Sequence, residues 1–421
     1  MAAEPAISPP RFRGVLAALD HREYRWLFAS NLAFFLAMGS QGIVRSWLAF
    51  QLTQSELALG LVSFMVAVPM LVMAPLGGVV ADRRERRALI AAGQASVLVT
   101  ELAVLALLLA GALAFWHLLV AAAVMGCVFP FIMPARQAIV ANIAGRSGLA
   151  NAMALNMAGM NVTRVVGPAA GGFGIGALGL PGTYAAGVAL YALALLCILG
   201  VRPSRPDGAA ARVSMRHNLL EGMRYLRQDR LVLVLLLFGL IPMFLAMPFQ
   251  TLLVVFADEV WDVGSTGLGL LSGVAGAGGV AGSMWVAWRH DSGRRAERQL
   301  LSMLGFGGFL LLFAQSPWFW PALPAVLLAN VFASVYGTLN NTAIQILIPD
   351  RVRGRISSFL MMSFSLPLLG TLPMSALAEA RGAPLAVSLA SLLAVAIALL
   401  FYAASPALRN MDAAVRRALL D

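Results

Sequence analysis

The stretch GGVVADRRERRALI, Gly77 to Ile90, decides how the rest of the chain is read. Two carboxylates and four arginines fill the six positions 82–87, yet a long apolar run stands on either side. Only 12% of the 421 residues are charged and 60% are hydrophobic. A soluble protein carries roughly a quarter charged residues. Mean hydropathy is +0.83, and apolar runs of about 20 residues, each long enough to cross a bilayer core, recur along the chain. The chain reads as an all-α integral membrane protein, and its charged stretch as a loop between two spanning helices.

Twelve apolar segments can be laid out. The first six run approximately 26–51, 57–80, 88–113, 116–141, 149–178 and 183–201, and the second six 231–257, 266–288, 299–316, 319–347, 355–378 and 384–404. They divide the chain into a tail at 1–25, a six-helix half at 26–201, a linker at 202–230, a second half at 231–404 and a tail at 405–421. The linker opens with Pro/Gly-rich sequence and closes with Leu219, Leu220, Met223 and Leu226 on one helical face among arginines, the pattern of an interfacial helix.

Every basic residue is arginine. With the N-terminus in the cytoplasm, the loops and tails on that side hold 26 of the 30 arginines, and the outer loops hold Arg381 alone. Asp258, Glu259 and Asp262 lie on the outer side instead. This is the asymmetry of the positive-inside rule, with both termini cytoplasmic. The net charge of +11 therefore serves topology rather than nucleic acid, which would need a basic patch on a foldable polar domain. Cys127 and Cys197 lie inside apolar runs and read as small buried side chains, with neither disulfide nor metal spacing. No apolar stretch of signal-peptide length precedes Trp26, so the first spanning helix is expected to act as an uncleaved insertion signal.

In the opening loop, Gly78, Asp82, Arg83, Arg86 and Arg87 resemble the signature of the major facilitator superfamily of secondary transporters, with Glu85 where that signature has its second glycine. Variation there is frequent in the branch of bacterial siderophore and macrolide exporters. MPARQAIVANI at 133–143 and NAMALNMAGMNVTRVVGPAAGG at 151–172 are similar to that branch's fourth and fifth helices. Gly167, Pro168, Gly171 and Gly172 resemble the core of the exporters' antiporter motif, with Thr163 at the preceding small position. The resemblance spans about 20–405 and implies two pseudo-symmetric six-helix halves, a gating role for the charged loop, and transport by alternating access. A parallel repeat agrees: a shift of 209 brings GLVS at Gly60 onto GLLS at Gly269, and a shift of 205 brings Arg146 onto Arg351.

Ionisable residues at membrane depth are costly and often functional. Glu101, about midway along the third segment, is the one acidic side chain in the apolar segments, so it nominates itself as a proton-titrating group, paired with Arg164 or Arg136 if its role is structural. Arg45 lies toward the outer end of the first segment. Exporters of the superfamily often carry an arginine early in helix four; here that position is Ala122. The family fold lines its central cavity with helices one, four, seven and ten, which nominates Phe34, Phe35 and Met38; Phe129, Phe131 and Met133; Phe244, Met247, Phe249 and Gln250; and Tyr336, Asn340 and Asn341. Pro130, Pro134, Pro242 and Pro248 are expected to interrupt helices four and seven.

The glycines of GLGLLSGVAGAGGVAGSM, 267–284, mimic a dinucleotide fingerprint without its strand–turn–helix context. Small residues four apart, such as Gly278 and Gly282, signify close helix packing instead. Without lysine there is no ATP-binding phosphate loop, and no cofactor is expected. The leading expectation is a monomeric exporter of the bacterial inner membrane, moving a drug-, macrolide- or siderophore-like molecule against protons. An importer or facilitator of the same fold is the alternative. A membrane-embedded lipid-modifying enzyme would need converging polar clusters, which His21, His117, His217 and His290 do not supply.

Overall fold

Inside a bilayer the backbone has no water to bond, so each apolar segment must satisfy its own amides, and helices do so. The computed structural model describes residues 17–205, 224, 227, 229–289, 293–349 and 365–420, the side chains at 146, 147, 419 and 420 excepted. No strand occurs among them. Helix α1 is Arg22–Thr53, α2 Glu56–Ala81 and α3 Arg86–Leu109. The run Phe115–Leu199 breaks direction at Gly145 and Gly179, whose φ of 61° and 70° no helix contains. It supplies α4 (115–144), α5 (146–178) and α6 (180–199). Then follow α7 (Arg230–Val260), α8 (Gly264–Trp288), α9 (Arg295–Ala314), α10 (Phe319–Leu347), α11 (Leu366–Arg381) and α12 (Ala383–Ala404).

Among the described residues nine helices are long and apolar enough to cross a membrane, one of them the 52-residue run Gly148–Leu199 that holds α5 and α6. The remaining expected segments fall on α9 and α11, and the start of the eleventh segment lies outside the described residues. The interfacial helix expected in the linker also lies largely outside them. Local chemistry sets several ends. Ser55, Glu85 and Asp229 each accept backbone N–H bonds at the first turns of α2, α3 and α7. The tail is helical at Pro406–Arg409 and Met411–Leu420, and Asp412 caps α9 by accepting the Arg295 N–H at 2.8 Å.

The prolines act differently from expectation in α4. That helix runs through Pro130 and Pro134 without interruption. Pro134 cannot donate to the carbonyl of Pro130, and that oxygen instead faces the bare Cα of Gly77 on α2, where a Cβ would lie 2.0 Å away. Helix α7 does break, into wide turns at Pro242–Ala246 and Phe256–Val260. In α8, Gly278 and Gly282 abut the Leu327 and Val331 carbonyls of α10, so the glycine stripe is a packing surface.

Candidate functional site

Asp82 is the C-terminal cap residue of α2 and is exposed. Glu85 bridges the loop to its own half: its carboxylate accepts the N–H groups of Arg87 and Ala88 at 2.8 Å and that of Ser204 at 2.9 Å. The Arg86 N–H reaches the Ser204 carbonyl at 2.9 Å, and the Arg87 guanidinium donates to the Leu199 carbonyl at 2.8 Å. A glycine at 85 could make none of the side-chain bonds. The departure from the signature therefore ties α3 to the exit of α6. Asp82 has no partner among the described residues.

The helix-five motif divides its work. Gly167 and Gly171 face α1: a Cβ at 167 would lie 3.1 Å from Gly39 Cα, and one at 171 would lie 2.7 Å from the Ser40 carbonyl oxygen. Gly172 faces the other half, where a Cβ would meet Gly269 Cα of α8 at 2.3 Å. Gly176 against Thr266, Gly273 against Ala169 and Gly276 against Val165 extend this α5–α8 seam. It runs about 20 Å along α5 from the C-terminal end of that helix, at 1.5 Å per residue. A second seam joins α2 to α11, with Gly60 against Leu372 and Ser375. Glu379 locks it where α2 begins and α11 ends. Its carboxylate crosses the halves to accept the Ser55 hydroxyl at 2.8 Å and the Leu57 N–H at 3.0 Å, capping α2.

Sequence reading did not single out Glu379, although an acid just past the eleventh apolar segment was the available signal. The Leu57 N–H first, and then the Ser55 hydroxyl, hold its carboxyl below the ordinary value. A depressed pKa means that the latch is complete above the ordinary carboxylate range and is lost as pH falls through the depressed value. Glu379→Gln should loosen this end of the seam and raise labelling of a cysteine placed at position 57. Unchanged labelling would show that the latch bears no load.

The membrane-depth charges separate. Glu101 is 1% exposed and pairs with neither Arg136 nor Arg164. It bonds Arg45 of α1 and the Tyr184 hydroxyl of α6. The register explains the choice, because Arg45 and Glu101 each lie eight residues before the C-terminal ends of their helices, Thr53 and Leu109. Arg136, deep in α4 and 3% exposed, donates to Asn31 and lies over the Phe34 and Phe35 rings at 4.8 and 5.5 Å. Arg164 is exposed on α5.

The nominated cavity residues also divide. Phe34 is fully buried against Tyr191, the Tyr336 hydroxyl donates to the Phe238 carbonyl at 2.6 Å, and Asn340 packs against Gly239. Phe249 is likewise buried. These four stabilise the interiors of their halves in this conformation. Met38, Phe129, Phe131, Met133 and Met247 are half-buried, whereas Phe244, Gln250 and Asn341 are exposed.

Residues 13–419 match the model of a family described as transmembrane secretion effector. The chain is similar to the multidrug efflux pump Tap of Mycolicibacterium fortuitum, 27% identical over 87% of this chain and 92% of that one. It is 23% identical to the staphyloferrin A transporter of Staphylococcus aureus over 90% and 95% of the two chains. The enterobactin exporter EntS of Shigella boydii is 27% identical over 80% of each. In fold it matches the nucleoside transporter NupG, with TM-score 0.71 at 15% identity over 91% of this chain and 98% of that one. A bacterial homologue of the lysosomal transporter Spinster, inward-facing and unoccupied, gives TM-score 0.69 at 15% identity over 97% and 98%. The chain is a multi-pass membrane transporter, not an enzyme, and belongs to the transmembrane secretion effector family of the major facilitator superfamily.

Proposed function

We propose that this protein is a proton-coupled exporter of the bacterial inner membrane, moving a partly apolar small molecule from the cytoplasm outward as a monomer with both termini inside. The observation that carries alternating access is the pair of seams joining the halves at their outer ends, Gly172 on Gly269 and Glu379 on Ser55 and Leu57. Contacts of that kind close one side of a central site and must part to open it. The efflux and exporter names of Tap and EntS support the outward direction. An importer of the same fold is the second reading, and the direction of vesicle transport separates the two.

In this reading the buried group of Arg45, Glu101 and Tyr184 carries the proton. Protonating Glu101 removes the counter-charge of Arg45, and an unpaired guanidinium in a dry interior must find water or a new partner. Arg45 lies on the same helix as Gly39 and Ser40, which hold Gly167 and Gly171 beside the α5–α8 seam. Movement of α1 thus reaches the gate directly. At the inner end, Asp82 is suited to hold the opposite half through a helix N-terminus. Asp82→Asn should lower transport severalfold at unchanged membrane expression, and wild-type kinetics in a well-expressed variant would remove the loop from the gate.

A further inference from the structure

Four directions around α5 can be assigned from its contacts. Val165, Ala169, Gly172 and Gly176 meet α8, while Gly159, Gly167 and Gly171 meet α1 on the opposite side. Two faces remain between them. One shows Val162, Val166 and Phe173, all exposed and all apolar, which suits lipid. The other shows Met157, Asn161 and Arg164, also exposed, at the four-and-three spacing of one helical face. A guanidinium and an amide at bilayer depth are tolerated toward a watery space, not toward hydrocarbon. This second face therefore borders the cleft between the halves.

Arg164 has no ion-pair or hydrogen-bond partner among the described residues, and an arginine does not lose its proton. No acidic residue other than Glu101 occurs in any of the twelve apolar segments, and Glu101 is sealed against Arg45 and Tyr184. The other unmatched cation at depth, Arg136, is closed off by Phe34, Phe35 and Asn31. The exposed charge of the cleft is consequently positive, with no carboxylate to receive a cationic drug.

We propose that Arg164 binds an oxyanion of the transported molecule, and that the substrates are anionic amphiphiles whose apolar body lies along Met157 and the half-buried methionines and phenylalanines of α1, α4 and α7. The assignment rests on the exporter reading above. An anion on Arg164 supplies the counter-charge that the protein lacks when the cleft closes and water leaves. A planar guanidinium favours carboxylate or phosphate-type oxygens held by two bonds.

The test uses the full chain in nanodiscs of neutral lipid, titrated with 11-(dansylamino)undecanoate, its uncharged methyl ester and the tetraphenylphosphonium cation. The wild type should bind the carboxylate about tenfold or more tightly than the ester, the scale of one charge-assisted contact. Arg164→Gln should bring that ratio close to one, and Arg164→Lys should restore part of it, with both variants melting as wild type does. A wild-type preference for the cation, or an unchanged ratio in Arg164→Gln, would overturn the proposal. So would loss of the preference in phosphatidylglycerol nanodiscs, because a lipid headgroup would then occupy the arginine. Uptake of the same probes by inside-out vesicles separates the two readings. Arg164-dependent binding without uptake would defeat export alone, and uptake blind to charge would defeat the anion site alone.

Discussion

Replacing Gly172 with leucine is expected to stop the transport cycle with the outer seam open, cutting export at least tenfold while the protein still folds and reaches the membrane. The Cα atoms of Gly172 and Gly269 meet across the halves with no room for a side chain, since even a Cβ would lie 2.3 Å from the opposing Cα. Backbone faces backbone here, so no flexible side chain can swing away. Forcing groups into such a contact costs about 1–3 kcal/mol or more, and about 3 kcal/mol shifts a two-state equilibrium roughly a hundredfold. The cost falls only on the conformation with the seam shut. Gly171→Leu differs, because position 171 faces Ser40 within the same half and the strain is present in every conformation; it should lower folded yield instead. Labelling of a cysteine in place of Ser265, a half-buried side chain beside Gly176 in the same seam, reads the contact without adding bulk to it. The Gly172→Leu protein should be labelled faster than wild type, and equal rates with normal export would remove the contact from the gate.

The second large effect belongs to the buried charges of the first half. Glu101→Gln leaves Arg45 charged, buried and without a counter-ion, and breaking such a pair costs about 3–5 kcal/mol. Arg45→Met is gentler, because the Tyr184 hydroxyl still donates to the Glu101 carboxyl. The Arg45→Met, Glu101→Gln double variant should recover much of the stability lost in Glu101→Gln. Thermal unfolding should thus rank Glu101→Gln lowest. Export per folded molecule should lose its response to a pH gradient in all three. A Glu101→Gln protein that melts as wild type and still responds to the gradient would leave the group with neither role.

The helices, the division into halves and the packing role of the glycines could be read from the sequence, because each depends on local composition. The partner of Glu101 could not. Extending the third segment to 113 puts Glu101 at its middle, whereas the helix stops at Leu109 and Gly111 turns with φ 67°. That shift brings Glu101 level with Arg45. The same limit hid the Gly172–Gly269 contact, since two glycines in different halves carry no mark of facing each other. Phe34 shows another limit. Leu27, Asn31, Phe34, Gln41, Arg45 and Leu48 are buried in α1, but a helix apolar all round gives no amphipathic stripe to say which face is inward.

Energised export by the wild type measures the central claim most directly. Inside-out vesicles containing the protein are given an acidic lumen and a panel of anionic, neutral and cationic amphipathic fluorophores. The account predicts saturable accumulation of at least one compound, collapse of that accumulation by a protonophore, and no accumulation in Gly172→Leu vesicles. Uptake no greater than in vesicles lacking the protein, or uptake indifferent to lumen acidity, would contradict it.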